Sequence, residues 1–189
     1  MALSKTKAIG IWTGLTVLLW GAYLALRLTI GGTCPGVELQ ADFDRERYLG
    51  RWYEQFRHYD VPYEVADCAT ATYSTMPLNQ FEIDNVEWDL VNEEWPRDEF
   101  PLGKGIVSSF TSGLANVKFF PLAPWANYMV LETDYDNYSI VYNCDAFSGG
   151  MVKVEYLWVL SRTPYEIDSA DWVTFRDERF ATIREKVGD

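Results

Sequence analysis

Histidine and cysteine are the side chains most often used for metal binding and nucleophilic catalysis, and this chain has few of them. It contains one histidine, His58, and three cysteines, Cys34, Cys68 and Cys144. A structural zinc site needs about four ligands of these types, and an activated nucleophile needs a neighbouring base. Because no Ser or acidic spacing around His58 suits such a base, the sequence predicts no enzyme activity, no metal site and no catalytic residue.

Aromatic side chains are the other group that could do chemistry, because they build apolar binding cavities. The 189-residue chain is 48% hydrophobic and 16% aromatic, a composition that allows a packed core and favours strands. Its formal net charge is −12, which argues against nucleic acid, since phosphate contacts need clustered Lys and Arg. The composition therefore favours a strand-rich fold or an apolar binding cavity. We expect no cofactor apart from a bound apolar ligand.

The N-terminal segment differs from the rest of the chain. Residues Ala8–Leu26 include no charged side chain, and a helix of this length spans about 28 Å, close to the hydrocarbon thickness of a bilayer. The alternative is a cleaved signal peptide, whose apolar region is usually about 7–15 residues, and the small residues 31–33 leave that alternative open. We expect an N-terminal transmembrane anchor within residues 1–33.

The charges around this segment predict its orientation. Lys5 and Lys7 precede it, so the N-terminus should stay on the cytoplasmic or matrix side. Residues 34–189 then lie on an oxidising side, which is extracellular, lumenal, periplasmic or in an intermembrane space. This predicted second domain is acidic, so it should not adhere to anionic lipid.

The pattern of residues 34–189 is that of short strands followed by one helix. Eight candidate strands lie between Arg51 and Arg162, at the spacing of a β-sandwich or barrel, with turns rich in Gly, Asn and Asp. Apolar residues at near-helical spacing from Ser169 to Val187 predict a C-terminal helix. In an eight-stranded up-and-down barrel, closure leaves room for one small ligand.

Three short motifs make a specific resemblance. A Gly-x-Trp motif ends at Trp52, followed in order by Thr133-Asp134-Tyr135 and by Arg162 after a strand. Residues Cys34–Pro164 resemble the lipocalin family, most closely its apolipoprotein D branch, which includes bacterial outer-membrane and plant stress-related lipocalins. The resemblance implies an all-β, eight-stranded antiparallel up-and-down barrel in residues 34–189. Its structural signature comprises Gly50, Trp52, Thr133, Asp134, Tyr135 and Arg162, with the Arg162 guanidinium across the Trp52 ring.

The resemblance also implies a set of ligand contacts. Tyr73, Phe119 and Trp158 match positions that contact ligand in apolipoprotein D-like proteins. Alternation along the strands adds further candidates for the lumen, the space inside the barrel. They are Phe56 and His58, in phase with Trp52, and Ala71, Val117, Tyr156 and Leu160, in phase with the three contacts. A core filled by these rings is the alternative.

The family pairs cysteines at positions like Cys34 and Cys144, which implies a disulfide and an oxidising compartment. Cys68 matches a cysteine whose family partner lies near the C-terminus, where this chain has none. We therefore expect Cys68 to be a buried free thiol. Acylation of Cys34, as in bacterial relatives, is a competing interpretation.

Taken together, the sequence predicts a membrane-tethered lipocalin that binds a lipid, sterol, retinoid or pigment in its barrel. The alternative is a non-catalytic accessory subunit of a larger membrane complex. The anchor and the acid-rich segment Glu82–Glu99 would suit that role. Enzyme activity, known in a few lipocalins, ranks last because no catalytic constellation resembles theirs.

Overall fold

The structure is a computed structural model that describes residues 29–30, 32–58, 61, 68–88, 104–108, 110, 112–119, 121–147 and 149–188. The predicted anchor, Ala8–Leu26, lies outside the described residues. Among the residues that are described, no helix has the length and apolar character needed to cross a membrane. The chain forms two compact units, one of Met1–Cys34 with Ala146–Val154 and one of Pro35–Asp145 with Glu155–Asp189. The predicted domain boundary after residue 33 stays a prediction.

Short strands are the commonest element of the described chain, as the sequence predicts. The strands are β1 (Thr29–Ile30), β2 (Gly50–Arg57), β3 (Cys68–Thr75), β4 (Phe81–Trp88), β5 (Lys104–Val107), β6 (Leu114–Lys118), β7 (Ala126–Thr133), β8 (Tyr138–Phe147) and β9 (Val152–Ser161). The helices are α1 (Arg45–Tyr48), α2 (Ala170–Lys186) and a single 3₁₀ turn (Pro77–Asn79).

Eight of the described strands close into a barrel. Each strand from β2 to β8 pairs with the next, and β9 pairs with both β8 and β2. Successive strands from β2 to β8 pair antiparallel, and so do β2 and β9. This confirms the predicted eight-stranded antiparallel barrel. Closure leaves no free edge in this ring and encloses a lumen lined by alternate side chains.

Helix α2 packs outside the barrel, as predicted. Its N-cap is Ser169, whose Oγ accepts a hydrogen bond from the Trp172 N–H at 3.1 Å. The Trp172 and Phe180 rings lie 5.2 and 5.3 Å from the ring of Phe56 on β2. Phe175 and Phe180 lie five residues apart on this helix and contact different neighbours, since Phe175 is buried against Tyr165 whereas Phe180 packs on Phe56.

The smaller unit contains a two-residue strand pairing. Thr29 lies opposite Lys153 and Ile30 opposite Val152, so β1 pairs with the first residues of β9. The Gly32 N–H donates to the Gly150 carbonyl at 3.0 Å. The chain that leaves the predicted anchor is therefore hydrogen-bonded to the β8–β9 hairpin within this unit.

Candidate functional site

Strand β2 contains a β-bulge that decides which side chains enter the lumen. Glu54 lies opposite Leu160 on β9, whereas Phe56 lies opposite the next residue, Val159. Gln55 is therefore an extra residue with no partner in the register. Because strand side chains alternate, one inserted residue moves every later side chain to the other face.

Two predicted lumen residues are displaced by this bulge. Strict alternation from Trp52 places Phe56 and His58 inside, and that prediction is wrong for both. The Phe56 ring packs outside the barrel against helix α2. His58 is exposed, and its backbone N–H donates to the Leu157 carbonyl at 2.9 Å.

Arg57 enters the lumen in their place. It lies opposite Trp158, and its Nη1 atom is 2.6 Å from Glu54 Oε1. The two side chains are 21% and 9% exposed. Burial raises the pKa of the Glu54 carboxyl above its usual range; the Arg57 charge opposes this increase and the Glu87 charge adds to it.

Strand β4 adds two polar side chains to the same wall. Ile83 is buried opposite Tyr73, so the alternate residues Asn85 and Glu87 share its face. Glu87 is 7% exposed. The Asn85 Oδ1 atom is buried and has no hydrogen-bond partner among the described residues, an arrangement that is uncommon in folded proteins.

Aromatic rings complete the lumen. Trp158 and Phe119 are half-buried and pack against the central core, and the Tyr156 ring lies 5.9 Å from that of Trp158. Gly105 makes room for Phe119, since a Cβ atom there would lie 2.9 Å from the Phe119 ring and from Ile83. The ligand contacts assigned to these three aromatic residues stay predictions. The other lumen candidates that pack in or against this core are Ala71, Val117 and Leu160.

One end of the lumen is filled by buried rings. The Tyr128 hydroxyl lies 2.5 Å from that of Tyr73 and 3.0 Å from that of Tyr48, which is also 3.0 Å from Ser139 Oγ. Burial raises the pKa of Tyr48 to about 12 and raises that of Tyr128 strongly. Tyr73, whose ligand contact stays a prediction, therefore lies in the floor of the barrel. We call this floor the closed end; it comprises Tyr48, Trp52, Tyr73, Phe81 and Tyr128.

Arg162 seals the closed end from outside. Its guanidinium carbon lies 3.6 Å from the centroid of the buried Trp52 ring. Its nitrogen atoms donate to the carbonyls of Tyr135, Arg51 and Arg47 at 2.8–2.9 Å. One side chain thus links the β2 strand, the α1 helix and the β7–β8 turn, which agrees with the structural role that the sequence predicts.

The β7–β8 turn is held by Thr133 and Asp134. Thr133 Oγ1 donates to the Tyr138 carbonyl and accepts from the Tyr135 N–H. Burial acts to raise the pKa of Asp134, but hydrogen bonds from the Asn137 side chain and nearby backbone N–H groups hold it below its usual range. All six signature residues lie at this end of the barrel: Gly50, Trp52, Thr133, Asp134, Tyr135 and Arg162.

The cysteines behave as expected in pairing but not in burial. Cys34 and Cys144 are disulfide-bonded, and Cys68 is a free thiol. The expectation that Cys68 is buried is wrong: it is exposed, because it is the first residue of β3. No group of three or more His, Cys, Asp or Glu residues in the described chain could hold a metal ion.

The polar wall of the lumen was missed by the sequence analysis. We call this region the upper lumen; it comprises Glu54, Arg57, Asn85, Glu87 and Trp158. Alternation from Ile83 could have found Asn85 and Glu87. The bulge at Gln55 has no comparable sequence signal, so Arg57 could not have been placed.

Comparison with protein families supports this geometry. Residues 43–181 match the family model described as "Lipocalin-like domain". Mouse apolipoprotein D (Mus musculus) is 36% identical over 135 residues, which is 71% of this chain and 68% of the mouse protein. The outer membrane lipoprotein Blc of Vibrio cholerae is 35% identical over 136 residues, covering 70% of this chain and 72% of Blc.

A solved structure also has the same fold. Lobster apocrustacyanin A1 superposes with a TM-score of 0.60 over 85% of each chain, at 21% sequence identity. At that identity the match concerns the fold alone. The barrel, the sealed floor and the sequence matches therefore point to one family.

Proposed function

Because the chain belongs to the lipocalin family, in its apolipoprotein D-like branch, we propose that its barrel binds a small hydrophobic ligand. One observation carries the proposal: half-buried aromatic rings lie inside a barrel whose floor is sealed. Trp158 and Phe119 pack against the core yet keep exposed surface, whereas the Tyr48 and Trp52 rings of the floor are fully buried. Exposed aromatic surface in a concave, mostly apolar space is typical of ligand sites.

The ligand contacts that we propose are Trp158, Phe119 and Tyr156, with Tyr73 below them. A lipid, sterol, retinoid or pigment would bury its apolar surface against these rings. At about 25 cal/mol per Å² of apolar surface, and after the cost of immobilisation, affinities in the micromolar range are reasonable.

Two measurements test this function. Native mass spectrometry of the purified full chain, with solvent extraction, should find a bound apolar molecule. A panel of fatty acids, sterols, retinoids and pigments should shift tryptophan emission, since Trp158 would contact the ligand. If neither measurement detects binding, the accessory-subunit hypothesis replaces ligand binding.

We also propose that residues Ala8–Leu26 tether the barrel to a membrane, with the N-terminus cytoplasmic or on the matrix side. The uncharged length of this segment and the preceding Lys5 and Lys7 support the proposal, and the disulfide suits an oxidising side. Full-length protein should stay in membranes after an alkaline carbonate wash. In vesicles whose cytoplasmic or matrix face is outward, added protease should reach the barrel only after the membrane is opened. Release by the wash would overturn the tether and leave ligand binding intact.

A further inference from the structure

The upper lumen contains a buried hydrogen-bond acceptor that protein atoms do not satisfy. Asn85 Oδ1 is buried without a partner among the described residues. Its neighbours on β4, Ile83 and Glu87, are also buried, and Ala71 lies opposite it on β3. A buried acceptor without a partner costs free energy, so a ligand atom that donates a hydrogen bond here would relieve that cost.

The charges around this acceptor favour a donor over an anion. Glu54 and Glu87 both bring acidic side chains to this wall, and Glu87 acts on Glu54 as a neighbouring like charge. Arg57 already contacts Glu54 at 2.6 Å, and these side chains are largely withdrawn from water. A ligand carboxylate would be a further acid beside Glu54 and Glu87 and has no hydrogen to donate to Asn85 Oδ1, whereas an alcohol or an ammonium group does.

The rest of the lumen fits the apolar body of such a ligand. In a ring of eight strands, β6 is four strands from β2 in either direction, so the two face each other across the lumen. Phe119 directly follows β6, whereas Glu54 and Arg57 lie on β2. Trp158 lies beside Arg57 on β9. A ligand can therefore place its polar group on the β2–β4 wall while its apolar body contacts Phe119 and Trp158.

We propose that the upper lumen selects apolar ligands that carry a hydrogen-bond donor, an alcohol or an amine, over ligands that end in a carboxylate. This inference rests on the proposed ligand-binding function and specifies its chemical class. Asn85 Oδ1 would accept the hydrogen bond, and Glu54 and Glu87 would repel a carboxylate.

The test is a displacement series on the purified full chain. Diphenylhexatriene, a hydrocarbon probe without a hydrogen-bond donor, is bound first. An alkyl alcohol, an alkylamine and an alkyl carboxylate of equal chain length then compete with it. We expect the alcohol and the amine to displace the probe at concentrations about tenfold lower than the carboxylate.

Two variants assign the effect to its residues. Asn85→Leu should weaken alcohol binding about tenfold and leave carboxylate binding nearly unchanged. Glu87→Gln should reduce the difference between the concentrations at which the amine and the carboxylate displace the probe. The matched control is Asn116→Leu, the same change on the exposed face of β6, which should alter neither.

The outcomes separate the two proposals. If the carboxylate displaces the probe as well as the alcohol and the amine, donor selection is wrong and ligand binding stands. Donor selection is also wrong if Asn85→Leu lowers the affinity for all three ligands equally, because a general change in the shape of the lumen would have that effect. If neither the probe nor any competitor binds, the proposed function fails and donor selection fails with it.

Discussion

The two ends of the lumen differ in how their buried polar groups are hydrogen-bonded. At the closed end, the hydroxyls of Tyr48, Tyr73 and Tyr128 bond to one another within 3.0 Å. In the upper lumen, Asn85 Oδ1 has no partner among the described residues, and the half-buried Trp158 keeps exposed surface. The closed end is complete without a ligand, whereas the upper lumen has unused hydrogen-bonding capacity.

This difference separates stability from binding. Satisfied and fully buried groups contribute most to the free energy of unfolding. Partly exposed rings and an unsatisfied acceptor contribute less, but they have surface and hydrogen bonds to offer a ligand. We therefore expect substitutions at the closed end to unfold the barrel and substitutions in the upper lumen to change binding.

The largest effect should come from Trp52→Ala at the closed end. The change removes a fully buried ring and its contact with Arg162, which should lower the free energy of unfolding by about 3–5 kcal/mol or prevent folding. Denaturant unfolding followed by circular dichroism measures it. The control is Trp125→Ala, whose ring is 45% exposed beneath the Lys118 ammonium and should cost about 1 kcal/mol at most. Equal losses in the two variants would contradict the structural role of Trp52.

A smaller loss should follow Tyr128→Phe, which removes one hydroxyl from the closed end. The hydroxyl of Tyr73 loses its 2.5 Å partner and that of Tyr48 keeps only Ser139, so the cost should be about 1–3 kcal/mol. Tyr53→Phe is the matched control, since the hydroxyl of half-buried Tyr53 on the outer face makes no hydrogen bond within the described residues. A loss in the control as large as in Tyr128→Phe would show that the network contributes nothing.

Alkaline pH should destabilise the closed end without any mutation. In the unfolded chain the pKa of a tyrosine is about 10. In the folded protein, burial raises the pKa of Tyr48 to about 12. Between these values the unfolded chain binds fewer protons than the folded one, so the free energy of unfolding falls as pH rises, by about 1.4 kcal/mol per pH unit for each such tyrosine. Below pH 10 the contribution is fully present.

Denaturant midpoints measured across this window test the expectation. The pKa values of Tyr138 and Tyr142 are also raised, because of burial and of hydrogen bonds to Glu132 and Glu155. Tyr128→Phe isolates the closed end, since it should flatten the fall with pH. A slope unchanged in that variant would show that Tyr128 does not contribute to the fall.

The sequence predicts much of the closed end, but it does not predict the polar side chains of the upper lumen. The resemblance carried by the three motifs predicted that the Arg162 guanidinium lies across the Trp52 ring, because that contact needs fixed residue types at fixed places in the barrel. The resemblance placed Tyr73 inside the barrel, and strict alternation from Trp158 placed Leu160 there; both lie in the core. Alternation failed at Gln55, because a bulge adds one residue to a strand whose composition is otherwise ordinary.

The consequence of that single residue is large. Alternation predicted a lumen wall of Phe56 and His58, one apolar ring and one imidazole. The bulge replaces them with the guanidinium of Arg57, which lies 2.6 Å from Glu54. The ligand chemistry of the upper lumen therefore depends on backbone register, which residue types alone do not reveal.

The smallest effect on stability and the clearest effect on binding should come from Trp158→Ala. The ring is half-buried, so its loss should lower the free energy of unfolding by about 1 kcal/mol, well below the cost of emptying a closed core site. Ligand affinity should fall about tenfold, because the ligand loses an aromatic surface. Probe titration and denaturant unfolding of the same sample measure both quantities. If Trp158→Ala loses as much stability as Trp52→Ala and keeps its affinity for the probe, the proposed division of the lumen into a stabilising end and a binding end is wrong.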